Sequence, residues 1–278
     1  MPKTYTPLRY PGGKTKLYDF ISSVLSSNQM NGCTYVEPFA GGAGLAIKLL
    51  LKQKVERIII NDIDYAVYCV WDLIVNNSEL LCEFINSVPL NVTEWQRQRA
   101  IYSNQDSYSP TEIGLSAFYL NRTNVSGVLK GGVIGGLSQE GTYKIDARFN
   151  RKALIDKVSA IAQRRECIDV YNWDARDFIS NILPNYDNCF VYFDPPCVQK
   201  GPSLYRNSFS HRDHQYLYEI ISDCPHRWIV TYDKCELISE LYSDYASEVL
   251  SIKYSAGQTK SGDEIVIYGP GVLPAAPA

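Results

Sequence analysis

Residues 34–64 limit the fold more than any other stretch. "TYVEPFAGGAGLAIKLLLK" (34–52) reads as a short strand, a glycine-rich turn and a helix with apolar residues at helical spacing. "ERIIINDID" (56–64) follows as a continuous apolar run closed by polar residues, the pattern of a parallel strand covered on both faces. Strand, turn, helix and strand make a βαβ unit, which requires parallel pairing and helical cover. Further buried strands are predicted at "NCFVYFD" (188–194), "RWIVTYD" (227–233) and "DEIVIYG" (263–269). Helices are predicted between them at "DARDFISNIL", "SHRDHQYLYEIIS" and "KCELISELYS", the second opened by a capping-box pattern of Ser210 and Asp213. The alternation predicts an α/β, doubly wound sheet.

The middle of the chain breaks that rhythm. Helical patterns at "AVYCVWDLIVN" (66–76), "TEIGLSAFYLNR" (111–122) and "ARFNRKALIDKVSAIAQ" (147–163) flank "TNVSGVLKGGVIGGLSQEGTYK" (123–144), which reads as an extended loop or hairpin. From Thr93 to Arg165 there are eleven Lys and Arg against six Asp and Glu, in a chain whose net charge is −3. A basic middle inside an acidic remainder predicts that one part meets a polyanion. The expected division is a core of residues 1–64 and 166–270, a mostly helical insert of 65–165 and a loose tail of 271–278.

Several function classes recede on composition. A chain of 278 residues can bury a core without cross-links, and its eight cysteines form no Cys-x-x-Cys pair, so they read as reduced thiols. "HRDH" (211–214) reads as a surface helix turn rather than a metal site, and no metal is expected. The first ten residues lack the apolar segment of a signal peptide, and no apolar run is long enough to span a bilayer. A soluble, cytoplasmic protein with no membrane partner is expected. Nothing in the sequence points to an oligomer, and a monomer is assumed.

Candidate chemistry gathers at predicted strand ends. Glycines 41, 42 and 44 let backbone approach a ligand, but Gly-Gly-x-Gly is neither the dinucleotide nor the Walker pattern. Asp62 ends the next strand, where it either accepts from ribose hydroxyls or simply solubilises the strand end. "RYPGGKTKL" (9–17) puts a lysine after a Pro-Gly-Gly turn, either plain surface loop or a cation brought to a ligand. Asp194-Pro195-Pro196 is the sharpest feature, because two prolines fix the backbone and remove two amide donors. The exposed carbonyls and the carboxylate then form a row of acceptors suited to an exocyclic amine.

In order, "RYPGGK", "VEPFAGGAG", "NDID", "FYLNRTNVSG", "KIDARFN", "NWDARDFI", "VYFDPP" and "LYRNSF" resemble the motifs of the Dam-like (alpha-class) DNA adenine-N6 methyltransferases. The likeness covers nearly the whole chain. It implies a Rossmann-like S-adenosylmethionine-dependent methyltransferase core with a mostly helical DNA-recognition insert, acting on double-stranded DNA by base flipping. By the resemblance, Tyr10 and Lys14 reach the cofactor and the target base, and Phe39, Gly41 and Gly44 surround the methionine part. Asp62 is the ribose acid, Ile63 packs on the cofactor's adenine, and Asp174 meets that adenine's edge. Asp194, Pro195 and Pro196 grip the target amine, with Asp194 also bordering the cofactor. In the insert, Arg122, Asn124, Lys130, Lys144 and Arg148 are the candidates for DNA contacts.

The chain departs from the family at one position. The motif is Asp-Pro-Pro-Tyr, and Cys197 stands where the tyrosine belongs. An aromatic face for the extruded base is worth roughly 1–3 kcal/mol, so its loss predicts a tenfold to somewhat over hundredfold slower reaction. Three readings follow: a natural variant of an active enzyme, with Phe193, Tyr205 or another aromatic lending a face; a variant made to stop turnover; or a non-catalytic relative that keeps the cofactor and DNA sites. A nucleophilic role for Cys197, as in cytosine-C5 chemistry, belongs to a different motif set. Methylation of glutamine or RNA is disfavoured by Asp rather than Asn before Pro-Pro and by the basic insert.

Overall fold

A computed structural model of the chain describes residues 4–10, 12–196, 210–254 and 260–276, and side chains outside 251–262. Seven strands are present among them: β1 (Thr34–Glu37), β2 (Arg57–Asn61), β3 (Ile168–Tyr171), β4 (Cys189–Phe193), β5 (Arg227–Asp233), β6 (Ser247–Tyr254) and β7 (Lys260–Tyr268). They form one sheet in the order β3-β2-β1-β4-β5-β7-β6. β1 pairs in parallel with both β2 and β4, and β4 with β5, while β7 runs antiparallel between β5 and β6. The strand order reverses between β1 and β4. That switch point marks a doubly wound, Rossmann-like α/β sheet, as predicted; in such sheets ligands bind outside the strands' carboxyl ends at the switch point.

Two strands escaped the sequence reading. β3 is four residues long and mostly half-buried, so it shows no apolar run. β6, at the other edge, mixes polar and apolar residues ("SEVLSIKY") and so shows no continuous apolar run. The buried run of β7 likewise says nothing of its antiparallel direction.

The chain divides into two compact units, one of residues 17–40, 52–63 and 171–278 and the other of 1–16, 41–51 and 64–170. The first holds a core in which Val36, Ile59, Val191, Phe193, Trp228 and Val230 meet Phe178, Ile179 and Leu183. Leu217 and Ile221 of the helix His211–Ser222 join the same core. Each such side chain contributes about 1.5–3 kcal/mol on burial, more than the roughly 1 kcal/mol of a cap. Both devices act at this helix: the Ser210–Asp213 capping box is formed, and positions 214, 217 and 221 face inward. The expected surface reading of "HRDH" therefore fails at His214. The helical stripe buries its ring, with Nδ1 3.1 Å from the Tyr232 hydroxyl, and burial lowers its pKa.

The other unit is helical: α2 (Gly44–Leu51), α3 (Tyr65–Asn76), α4 (Ser78–Ser87), α5 (Val92–Ser103), α6 (Pro110–Thr123) and α7 (Arg151–Ala162), with α1 (Tyr18–Ser27) belonging to the sheet-bearing unit. Side chains cap four of its helices: Asp64 for α3, Asn91 for α5, Ser109 for α6 and Asn150 for α7. The cap at Asn150 corrects the predicted start of the last helix, since 145–148 form a separate 3₁₀ turn. Residues 124–144 are loop apart from a 3₁₀ turn at Val125–Gly127, with one isolated bridge, Asn124 to Val133.

The units do not follow the expected division at 64/65 and 165/166. Residues 1–16 and 41–51, expected in the core, pack in the helical unit because Arg9 binds Asn121 of α6 and Gly41 binds Trp71 of α3. The tail is also not loose from its start: Val272 is buried, and the Leu273 backbone makes two 2.8 Å bonds to the Asn28 side chain. The seven described cysteines are all free thiols, Cys33, Cys69 and Cys189 being buried. No helix among the described residues is long and apolar enough to cross a membrane.

Candidate active site

In the sheet-bearing unit, the loops leaving β1, β2 and β3 are tied together by one side chain. Asn61, the last residue of β2, is 1% exposed. Its amide donates to the carbonyls of Pro38 and Trp173, both at 3.0 Å, and accepts from Trp173 N at 2.9 Å. Its own carbonyl accepts from Ala40 N at 2.9 Å. Next to it, Asp62 N donates to Tyr171 O at 3.2 Å, and Asn172 donates to Asp62 O at 2.7 Å. The predicted cofactor residues Phe39, Asp62, Ile63 and Asp174 all flank this brace. Sequence reasoning passed over Asn61, although "NDID" had drawn attention to it.

Ile63 and Trp173 are left 47% and 44% exposed on that brace. Apolar side chains held open beside strand-end carboxylates are what an adenosine requires, with acids for hydroxyls and amine and apolar surface for the base. This set of acceptors and apolar surface fits the nucleoside of S-adenosylmethionine. Asp174 has a further duty. It caps its own short helix and pairs with Arg176 at 2.7 Å, and the hydrogen bonds from Arg176 hold its carboxyl below the usual range.

At the end of β4, Asp194 follows the fully buried Phe193. Its Oδ1 accepts from Thr231 of β5 at 3.3 Å. Pro195 is buried and Pro196 half-buried. Phe193, one of the aromatics named to replace the missing tyrosine, is sealed in the core and cannot present a face. Cys197, Tyr205 and the rest of "LYRNSF" lie outside the described residues.

In the helical unit, Tyr10 lies across the glycine turn. A Cβ built on Gly41 would sit 2.6 Å from the Tyr10 ring, and one on Gly44 2.3 Å from Thr15 Oγ1. Gly41 also has φ +46° and accepts from Trp71 Nε1 at 2.8 Å. Gly41→Ala is therefore expected to cost about 1–2 kcal/mol in backbone conformation alone, and to displace the tyrosine. A thermal melt should fall by roughly 2–8 °C, whereas Gly132→Ala, where a Cβ meets nothing within 4 Å, should leave it unchanged. Lys14 opens a 3₁₀ turn just after the Tyr10–Gly13 turn.

The five predicted DNA residues of this unit separate by exposure. Lys130, Lys144 and Arg148 are exposed, the last lying 5.6 Å over the Tyr143 ring. Arg122 is drawn inward, donating to the carbonyls of Arg148 (2.9 Å from Nε) and Pro7 (3.2 Å). Burial, then Arg9 and Arg148, push its pKa down to about 9, so it remains a cation at neutral pH. Asn124 departs from expectation. It is fully buried, accepting from Trp95 Nε1 at 2.7 Å and donating to Val128 O and Leu129 O at 2.9 Å. It shapes the 124–133 loop and has no surface to offer DNA. Arg9 and Lys157, unnoticed in the sequence, add charge here: burial lowers both pKa values, with Arg148 acting on the first and Arg122 on the second.

An acidic, brace-held strand edge, an Asp-Pro-Pro strand end and a basic helical unit are the parts a DNA-modifying enzyme needs. The sequence profile of the D12 class of N6 adenine-specific DNA methyltransferases matches residues 10–256. The chain belongs to that family. It is a DNA adenine methyltransferase by membership, and membership implies S-adenosylmethionine as donor and DNA as substrate. The Type II methyltransferase M.MjaIII of Methanocaldococcus jannaschii is 27% identical over 208 residues, 68% of this methyltransferase and 68% of that protein. The Type II methyltransferase M.CviBI of Paramecium bursaria Chlorella virus NC1A is 23% identical over 269 residues, covering 93% and 95%. A precorrin-6y C5,15-methyltransferase structure from Geobacter metallireducens covers 89% of this chain and 85% of its own at 9% identity, but its TM-score of 0.36 is too slight to build on.

Proposed function

We propose that the methyltransferase modifies the N6 amine of an adenine flipped out of a specific duplex-DNA site. The observation that carries this reading is the Asp194 carboxylate at the end of β4, braced from β5, within a chain that matches its family over 10–256. S-adenosylmethionine supplies an activated methyl group when bound. By the resemblance, Asp62 accepts from its ribose hydroxyls, Ile63 covers its adenine and Asp174 meets that adenine's edge, and Phe39, Gly41, Gly44, Tyr10 and Lys14 are the further cofactor residues. Asp194 accepts one N–H of the target amine and the Pro195 carbonyl the other, which orients the nitrogen lone pair for direct displacement. No metal enters this scheme. Extruding the base costs a few kcal/mol, and a cysteine at 197 returns less of it than a tyrosine would.

The helical unit supplies the DNA grip through Lys130, Lys144 and Arg148, with Arg122 behind them. A side chain that neutralises one phosphate contributes about one unit to the slope of log affinity against log salt. Lys144→Ala and Arg148→Ala are each expected to weaken duplex binding and reduce that slope by about 1. Fluorescence anisotropy across a salt series measures it. An unchanged slope in both variants would remove these residues from the DNA interface.

A further inference from the structure

We propose that Thr231 is a positioning residue for the catalytic carboxylate, the last donor in a one-directional hydrogen-bond chain from Tyr192 through Thr231 to Asp194. The inference rests on the reading of Asp194 given above. β4 pairs with β5 through Tyr192↔Ile229 and Phe193↔Val230, so one step on, Asp194 and Thr231 come level. Alternation along a strand then puts Tyr192 and Asp194 on one face of the sheet, with Thr231 beside both. The distances agree: Tyr192 Oη lies 2.7 Å from Thr231 Oγ1, which lies 3.3 Å from Asp194 Oδ1.

The direction follows from counting protons. An ionised carboxylate only accepts, and a threonine hydroxyl has a single proton to give. With that proton on Asp194, the contact with Tyr192 requires the phenol to donate. Thr231 is 1% exposed and Tyr192 2%, so water does not compete for either hydroxyl. Burial and neighbouring charges, Glu37 first, hold the adjacent Tyr35 well above its ordinary pKa, so that phenol also keeps its proton. Its ring stacks on Tyr192 with centroids 6.4 Å apart and fixes the outer end of the chain. A carboxylate pinned at one oxygen keeps its rotation about the Cβ–Cγ bond. That rotation decides whether it meets the amine of a base or lies across it.

The test compares Thr231→Val, which keeps the shape and removes the hydroxyl, with Thr231→Ser, which keeps the hydroxyl. Methyl transfer to duplex DNA is measured at saturating S-adenosylmethionine and DNA in the full chain, and again in the Cys197→Tyr background. The expected result is a kcat at least tenfold lower for Thr231→Val, with KM for S-adenosylmethionine and Kd for DNA within twofold of the parent. Thr231→Ser should stay within threefold on all three. Tyr192→Phe, which removes only the outer donor, should lower kcat by about two- to fivefold. A Thr231→Val enzyme with parental kcat would overturn the proposal, as would equal losses in the serine and valine variants. If Thr231→Val does not fold, the serine and phenylalanine variants decide by the same criteria. Asp194→Ala, run alongside, separates the two claims: full activity in that variant, or no transfer by any form in either background, would sink the reading of Asp194 and this inference with it.

Discussion

Asp194→Ala is expected to reduce methyl transfer by on the order of a hundred- to a thousandfold while leaving DNA affinity unchanged. Removing one preorganised electrostatic partner from a reacting group costs about that much in other enzymes, and here the partner is held from behind by Thr231. Asp194→Asn keeps an acceptor oxygen and should fall between the alanine variant and the parent. Single-turnover transfer of a labelled methyl group gives the rates, and equilibrium binding of S-adenosylmethionine gives the control. If the alanine variant lost cofactor binding in proportion to its rate, the border Asp194 shares with the cofactor would account for the whole effect, and its grip on the amine would fall.

The second large effect runs the other way. Cys197→Tyr restores the family's Asp-Pro-Pro-Tyr and is expected to raise transfer by about tenfold to somewhat over a hundredfold. The burial of Phe193 makes this sharper, because one of the aromatics that could have stood in is closed inside the core. The gain should lie in kcat and in the affinity for DNA carrying a mismatched or missing partner to the target base, where flipping is already prepaid. Rates of parent and variant on the same duplex decide it. Equal rates would mean that another group supplies the face and that the cysteine is a neutral variant of an active enzyme.

The fold was legible where burial wrote itself into the sequence. β1, β2, β4, β5 and β7 are apolar runs, and the helix His211–Ser222 begins at the capping box read from Ser210 and Asp213. The edges were not legible, because β3 is mostly half-buried, residues 247–250 of β6 are exposed or half-buried, and neither strand carries such a run. Motif residues came through as positions but not as contacts. Asn124 looked like a polar loop residue ready for DNA, yet two hydrogen bonds inside the loop and one from Trp95 of α5 take its amide. Asn61 and Thr231 were invisible for the opposite reason. Each takes its role from what lies beside it in the sheet, and only register and topology reveal that.

The measurement that bears most directly on the central claim is the identity of the methylated product. The purified chain, with its Cys197→Tyr form beside it, is incubated with labelled S-adenosylmethionine and mixed-sequence duplex DNA, and the DNA is digested to nucleosides. The account predicts label in N6-methyladenine, more of it from the tyrosine form, and confined to one short sequence context. Label in a cytosine, in RNA or in protein would contradict it, as would a chain that binds S-adenosylmethionine and DNA but leaves every adenine unmodified in both forms.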